Sequence, residues 1–194
     1  IWLFGLLLEA EDSKTIFLHT HGTASNFYEE YFIEVLTKSL VENGISIISV
    51  NNRGAGAYDP WQKIGAAVEM FGDCIIDLDA WIEFVLNKGY ENIILSGHSL
   101  GTEKVVYYMN KGKYRDKIKS VVLLAPATST GSESELIGED RLKLQLEESR
   151  RLVDAGKGDT FLPRNAYGDI MPKSAESFLN FASLHSETAK AMPF

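Results

Sequence analysis

The chain has 194 residues, the size of one ordinary domain or slightly more. Its 45% hydrophobic and 24% charged content fits a globular chain with its own core and sets aside disordered and low-complexity readings. With 19 basic and 27 acidic side chains the net charge is −8, so neither a phosphate backbone nor an anionic membrane surface is an expected partner.

The single cysteine, Cys74, allows no internal disulfide and fits a reducing compartment. No stretch approaches the roughly 20 apolar residues that span a bilayer. The apolar opening Ile1–Leu8 lacks the basic leader of a signal peptide, and a cytoplasmic protein is expected. Both ends read as cut: the chain opens inside an apolar run without Met and stops at Met192-Pro193-Phe194 directly after a helical pattern.

In chain order, Trp2–Glu9 is an apolar, strand-like run, Glu11–Lys14 a polar turn, and Thr15–Thr20 a buried strand. From Asn26, residues Tyr28, Tyr31, Phe32, Val35, Leu36, Ser39 and Leu40 fall at helical spacing, which predicts an apolar face; Asn43-Gly44 ends that helix. Ile45–Val50 is a buried strand and Asn51–Gly56 a glycine-containing loop. Leu78, Trp81, Ile82, Val85 and Leu86 mark a second helix, stopped near Gly89, with Asp73, Asp77 and Asp79 at its start, where negative charge suits the helix dipole. Asn92–Ser96 is a third buried strand. Thr102–Met109 is a helix with Val105, Val106 and Met109 inward, and Ser120–Ala125 a further buried strand closed by Pro126. Alternating strands and helices with apolar, non-alternating strands predict an α/β fold, a mostly parallel sheet covered on both faces.

After Pro126 the repeat stops. Thr128–Gly138, rich in Ser, Thr, Gly and Glu, reads as a linker. Glu139–Ala155 reads as a charged helix with Leu142, Leu146 and Val153 on one face. Asp159–Met171 is irregular or a short hairpin, and Ser174–Leu184 is a final helix with Ser174 as its N-cap. Residues 1–127 are therefore expected to form the core and 128–194 an appended helical element.

The chemistry concentrates in Ser96-Gly97-His98-Ser99-Leu100-Gly101-Thr102, a G-x-S-x-G pattern between a strand and a helix. A serine on such a turn is held in a strained conformation that pushes its Oγ out at the end of the sheet. Gly97 and Gly101 leave room for the neighbouring strand and helix, and the helix N-terminus favours a developing oxyanion. His21-Gly22-Thr23 ends the strand before the first helix. From there the N–H groups of Thr23 and Leu100 are expected to form an oxyanion hole, with Gly22 supporting that loop.

Together, His21-Gly22-Thr23, Asn52-Arg53-Gly54-Ala55-Gly56 and Gly97-His98-Ser99-Leu100-Gly101 resemble the α/β-hydrolase superfamily over roughly residues 15–127, in family order. Asn51 stands where the family usually has an acid, and Tyr58 where it often has serine. The resemblance implies that Ser99 is the nucleophile, that His98 packs structurally beside it, and that residues 128–194 form a helical cap. It places the triad acid and histidine after strands absent from this chain, which is therefore read as truncated and nearly inert alone. His185 is the fallback base, the one histidine after Ser99. Asp154, Asp159 and Asp169 follow no strand. The His19-x-His21 pair has no Cys, Asp or Glu cluster beside it, so no metal is expected, and no cofactor.

The expected activity is hydrolysis of a small-molecule carboxylic ester or thioester through an acyl-enzyme on Ser99. A non-catalytic binding protein of the same fold, and an acyltransferase or lipase on the same scaffold, are the alternatives. Substrate identity and oligomeric state are not encoded in any motif.

Overall fold

Apolar strands need cover on both faces, and this chain supplies it by threading helices between strands. The computed structural model describes residues 1–163, 171–183 and 190–191, without the side chains of 130–133. Its strands are β1 (Gly5–Leu8), β2 (Thr15–Thr20), β3 (Ser46–Val50), β4 (Asn92–His98) and β5 (Ile118–Leu124). Its helices are α1 (Phe32–Glu42), α2 (Cys74–Asn87), α3 (Leu100–Lys111), α4 (Ser129–Ile137), α5 (Glu139–Asp154) and α6 (Ala175–Ala182).

The sheet order is β1-β3-β2-β4-β5. β2 pairs in parallel with both β3 and β4, β5 adds in parallel to β4, and only β1 runs antiparallel, against β3. Strand alternation then divides the layers. Ile16, Leu18, Ile48, Val50, Ile93 and Leu95 join Leu78, Ile82 and Val85 of α2 and Val105 and Tyr108 of α3 in the main core. Phe17, His19, Ile47 and Ser49 alternate to the opposite face, where α1 packs on β3 and Phe32 meets His19 edge-on at 5.7 Å. The expected α/β layering, with helices on both sides of a mostly parallel sheet, is what forms.

Four local expectations need correction. The first helix begins at Phe32, not near Asn26, and Tyr28, Tyr31 and Val35 are 64%, 89% and 71% exposed. The Asn26 Oδ1 accepts the N–H groups of Tyr28 and Glu29, both at 3.0 Å, so the chain turns there instead of winding a helix. Ile33, not the tyrosines, is the residue that α1 buries. In α3, Val105 is buried as expected but Val106 and Met109 are only half-buried; Lys104, Tyr107 and Tyr108 take the inward places. β5, read as buried, is half-buried to exposed, because among the described strands only β4 pairs with it. Thr128–Gly138 is no linker but contains α4.

α4 forms despite its composition because a distant acid satisfies its start. The buried Glu103 carboxylate accepts the Ser129 N–H at 2.9 Å and the Ser129 hydroxyl at 2.5 Å. Gly138, at φ 82°, then separates α4 from α5. Ile137, Leu162, Ala175, Phe178 and Ala182 build a second small core, flanked by Leu142, Leu146 and Val153 of α5. This helical unit docks through Phe181, which packs with Phe71, Cys74, Leu100 and Tyr107. Three hydrogen bonds add to it: Ser174 N–H to Ala67 O at 2.8 Å, Ser177 Oγ to Glu69 O at 2.7 Å, and Phe71 N–H to Asn180 Oδ1 at 2.7 Å.

A buried ion pair lies beneath the same junction. Lys104 Nζ donates to Glu69 Oε1 at 2.5 Å and to Asn52 Oδ1 at 2.9 Å, and both charged side chains are 1% exposed. The Glu69 carboxylate lies hard against Gly54, which has no room for a side chain. Removing one partner of a buried pair strands the other charge. Lys104→Met is therefore expected to cost about 3–5 kcal/mol in urea unfolding, and adding Glu69→Gln to recover part of that loss. Strictly additive losses in the double variant would contradict a coupled pair.

Candidate active site

β4 and α3 meet with no loop between them, which forces the intervening residue out of ordinary backbone space. Ser99 sits there at φ 50° and ψ −122°, a left-handed conformation that costs a side-chain-bearing residue of order 1–3 kcal/mol. Three hydrogen bonds hold it. Ser99 N–H donates to Leu124 O at 3.0 Å, while its carbonyl accepts the Thr102 N–H at 2.9 Å and the Thr102 hydroxyl at 2.6 Å. A side chain at Gly97 would collide with the Gly101 backbone, and one at Gly101 would lie 2.6 Å from Thr20 O. The strand and helix close on each other only because both positions are glycine. Ser99 itself is half-buried.

The loop after β2 lies on this turn. A Cβ on Gly22 would come 3.1 Å from Ser99 Cβ and 3.3 Å from His98 O, so the two segments touch there. Thr23 follows Gly22 and is exposed; Leu100 follows Ser99, is 2% exposed and opens α3. As the first residue of a helix, Leu100 has an N–H with no partner inside that helix. The two N–H groups singled out from sequence thus belong to segments in direct contact.

Sequence reasoning missed Glu30, which is 8% exposed. Its Oε1 accepts the Gly22 N–H at 3.0 Å and meets His98 Nδ1 at 2.8 Å; its Oε2 meets His19 Nε2 at 2.8 Å. His19 Nδ1 in turn meets Ser96 Oγ at 3.1 Å. Burial opposes ionisation of Glu30, but the bonds from His19, Gly22 and His98 outweigh it and hold the carboxyl at about 2. One glutamate beside another in an aromatic run gives no periodic signal, and nothing local marks Glu30 as the buried one.

His98 faces Glu30 and Phe32, whose ring lies 5.1 Å away. His21 is fully buried. Its Nδ1 donates to Gly22 O at 2.7 Å and its Nε2 accepts the Asn52 N–H at 3.3 Å, an arrangement for neutral imidazole. Burial and the nearby Lys104 charge push it down to about 3. The motif Asn52–Gly56 is anchored by Arg53, which binds Asp77 through its guanidinium and backbone and Asp73 at 2.5 Å. Those acids thus grip a loop as well as sitting at a helix start. Asn51, in the family's acidic position, accepts the Phe27 N–H at 2.8 Å and ties the two loops together.

Among the described residues, no histidine or carboxylate bonds Ser99 Oγ, and no group of three His, Cys, Asp or Glu side chains is placed to hold a metal ion. Asp154 and Asp159 are exposed, whereas Asp169 and His185 lie outside the described residues. No described helix is long and apolar enough to cross a membrane.

The two shifted groups give the folded state an acid limit. An unfolded imidazole takes a proton near 6.5, whereas His21 refuses one until about 3, so stability is expected to fall as pH drops through that window. Glu30 adds to the loss between 4.5 and 2. Urea midpoints against pH test this; His21→Gln should flatten the segment above 4.5, and an unchanged slope there would contradict it.

The comparisons agree with this fold. A UPF0613 protein of Schizosaccharomyces pombe is 22% identical over 187 residues, 91% of this chain and 57% of its own length. The siderophore hydrolase EstB from Aspergillus fumigatus superposes with a TM-score of 0.67 at 15% identity, covering 96% of this chain and 63% of that one. A Paleococcus ferrophilus monoacylglycerol lipase gives 0.64 at 17% identity, covering 98% and 72%. The chain thus spans little more than half of the curated relative. Residues 11–153 match the family described as serine aminopeptidase, S33, and the chain belongs to that family of α/β hydrolases.

Proposed function

We propose that this hydrolase chain carries the nucleophile of a serine esterase, cleaving a carboxylic ester or thioester through an acyl-enzyme on Ser99. The observation that carries the reading is the strained, half-buried Ser99 at φ 50° against the Gly22 loop. A scaffold that only binds has no physical need for that strain. The relatives named for hydrolysing a siderophore and a monoacylglycerol favour an ester over other acyl compounds.

In this mechanism Ser99 Oγ attacks the substrate carbonyl carbon as a base removes its proton. The carbonyl oxygen becomes an oxyanion, held by the N–H groups of Thr23 and Leu100 at the start of α3. Collapse expels the alcohol or thiol, which takes the proton, and leaves the acyl group on Ser99. Water then repeats the sequence and releases the acid. Gly97 and Gly101 set the turn, and α4–α6 act as the cap over the acyl pocket. The base and its orienting acid are assigned to the part of the protein outside these 194 residues, in keeping with the 57% coverage of the curated relative.

A serine-directed fluorophosphonate tests this on the full-length protein. One adduct on the peptide containing Ser99 is expected, with none in Ser99→Ala, whose ester turnover should fall roughly 10⁴-fold or more. No adduct in either form would favour a binding protein. Faster cleavage of an aminoacyl anilide than of a nitrophenyl ester would move the substrate class to amides.

A further inference from the structure

We infer that Glu30 is a positioning residue for the reaction, a clamp that fixes the distance between the two halves of the oxyanion site. This rests on the serine-hydrolase reading above. The two N–H donors, Thr23 and Leu100, come from different segments, the loop after β2 and the start of α3, and each follows directly a residue at which those segments touch. An oxyanion hole works only if its donors are already spaced for the tetrahedral oxygen before it forms. Van der Waals contact between Gly22 and Ser99 sets a minimum separation but does not pull the loops together.

Glu30 supplies the pull. A single oxygen, Oε1, takes the Gly22 N–H at 3.0 Å and His98 Nδ1 at 2.8 Å, so one atom joins the residue before Thr23 to the residue before Ser99. The bond to Gly22 also closes the intervening loop on itself. The second oxygen is fixed by His19 on β2, at 2.8 Å, and His19 is fixed by Ser96 on β4, at 3.1 Å. The clamp therefore has its foot on the two central strands and its jaw on the Gly22 loop and the last residue of β4. Its 8% exposure keeps water from competing for these bonds.

The role depends on shape rather than charge, which makes it separable. Gln at this position keeps an oxygen for Gly22 and His98, while its amide can donate to His19 Nε2 once the His19 proton moves to the Ser96 side. Asp keeps the charge but is one methylene shorter and cannot reach both the strand foot and the loops.

The test uses the full-length protein, with kcat and KM for a nitrophenyl ester, affinity for a boronic acid that mimics the oxyanion adduct, and melting temperature. In Glu30→Asp, kcat is expected to fall about 10–100-fold with KM within about three-fold, and boronate affinity to fall in step. Glu30→Gln is expected to stay within about five-fold of the parent. His98→Phe, which keeps a ring against Phe32 and removes the Nδ1 contact, supplies a second variant should Glu30→Asp not fold; it is expected to lose kcat about ten-fold. A Gln variant as impaired as Asp, or losses confined to KM, would overturn the clamp. Fluorophosphonate labelling separates the two readings. A parent that labels at Ser99, with Glu30→Asp and His98→Phe at parental kcat, sinks the clamp alone; a parent that does not label sinks the nucleophile and the clamp together.

Discussion

The close approach of α3 to the ends of β2 and β4 is the constraint on which everything else in this molecule depends. With no side chain at Gly97 or Gly101, the helix starts one residue after the serine and its first N–H groups lie where the sheet ends. That geometry puts Ser99 in a left-handed conformation, and the bonds through Leu124 and Thr102 keep it there. Because Thr102 also accepts the Ala127 N–H at 3.3 Å, the same turn fixes where the chain leaves β5 for the helical unit. A serine displayed at a helix N-terminus is thus a consequence of packing two glycines, before any question of chemistry arises.

Each loop around this turn is then held by a carboxylate that reaches across the loop itself or in from a neighbouring helix. Glu30 holds the Gly22 loop from the α1 side of the sheet, and Asp77 with Asp73 holds the Arg53 loop from α2. Glu69, paired with Lys104, backs Asn52 and Gly54, and Glu103 starts α4. Buried carboxylates are costly unless fully bonded, so these contacts are weak as sources of net stability but strong as determinants of geometry. Charge-assisted bonds to strands and helices thus set the position of these loops.

What was legible in the sequence follows from the same division. β2, β3 and β4 are read directly, because a strand buried on both faces carries adjacent apolar residues, as in Ile16-Phe17-Leu18, Ile47-Ile48 and Ile93-Ile94-Leu95, and the G-x-S-x-G turn is read because its glycines answer a local steric demand. The start of α1 was misread because Tyr28 and Tyr31 mimic an apolar helix face, while Asn26 turns the chain by hydrogen bonding that periodicity does not register. Glu30, Glu69 and Lys104 look like surface residues since their partners lie far along the chain. α4 reads as a linker because its weak helical composition is offset only by Glu103, a residue of another helix. Local steric rules write themselves into neighbouring residues; buried charge networks do not.

The most direct test of the account is to catch the acyl group. Full-length protein mixed with an activated ester, quenched in acid within milliseconds and digested for mass spectrometry, is predicted to carry one acyl increment on the peptide containing Ser99, and none in Ser99→Ala. Ester turnover with no acyl group on that peptide, or with the acyl group on another residue, would contradict the assignment of Ser99 as the nucleophile.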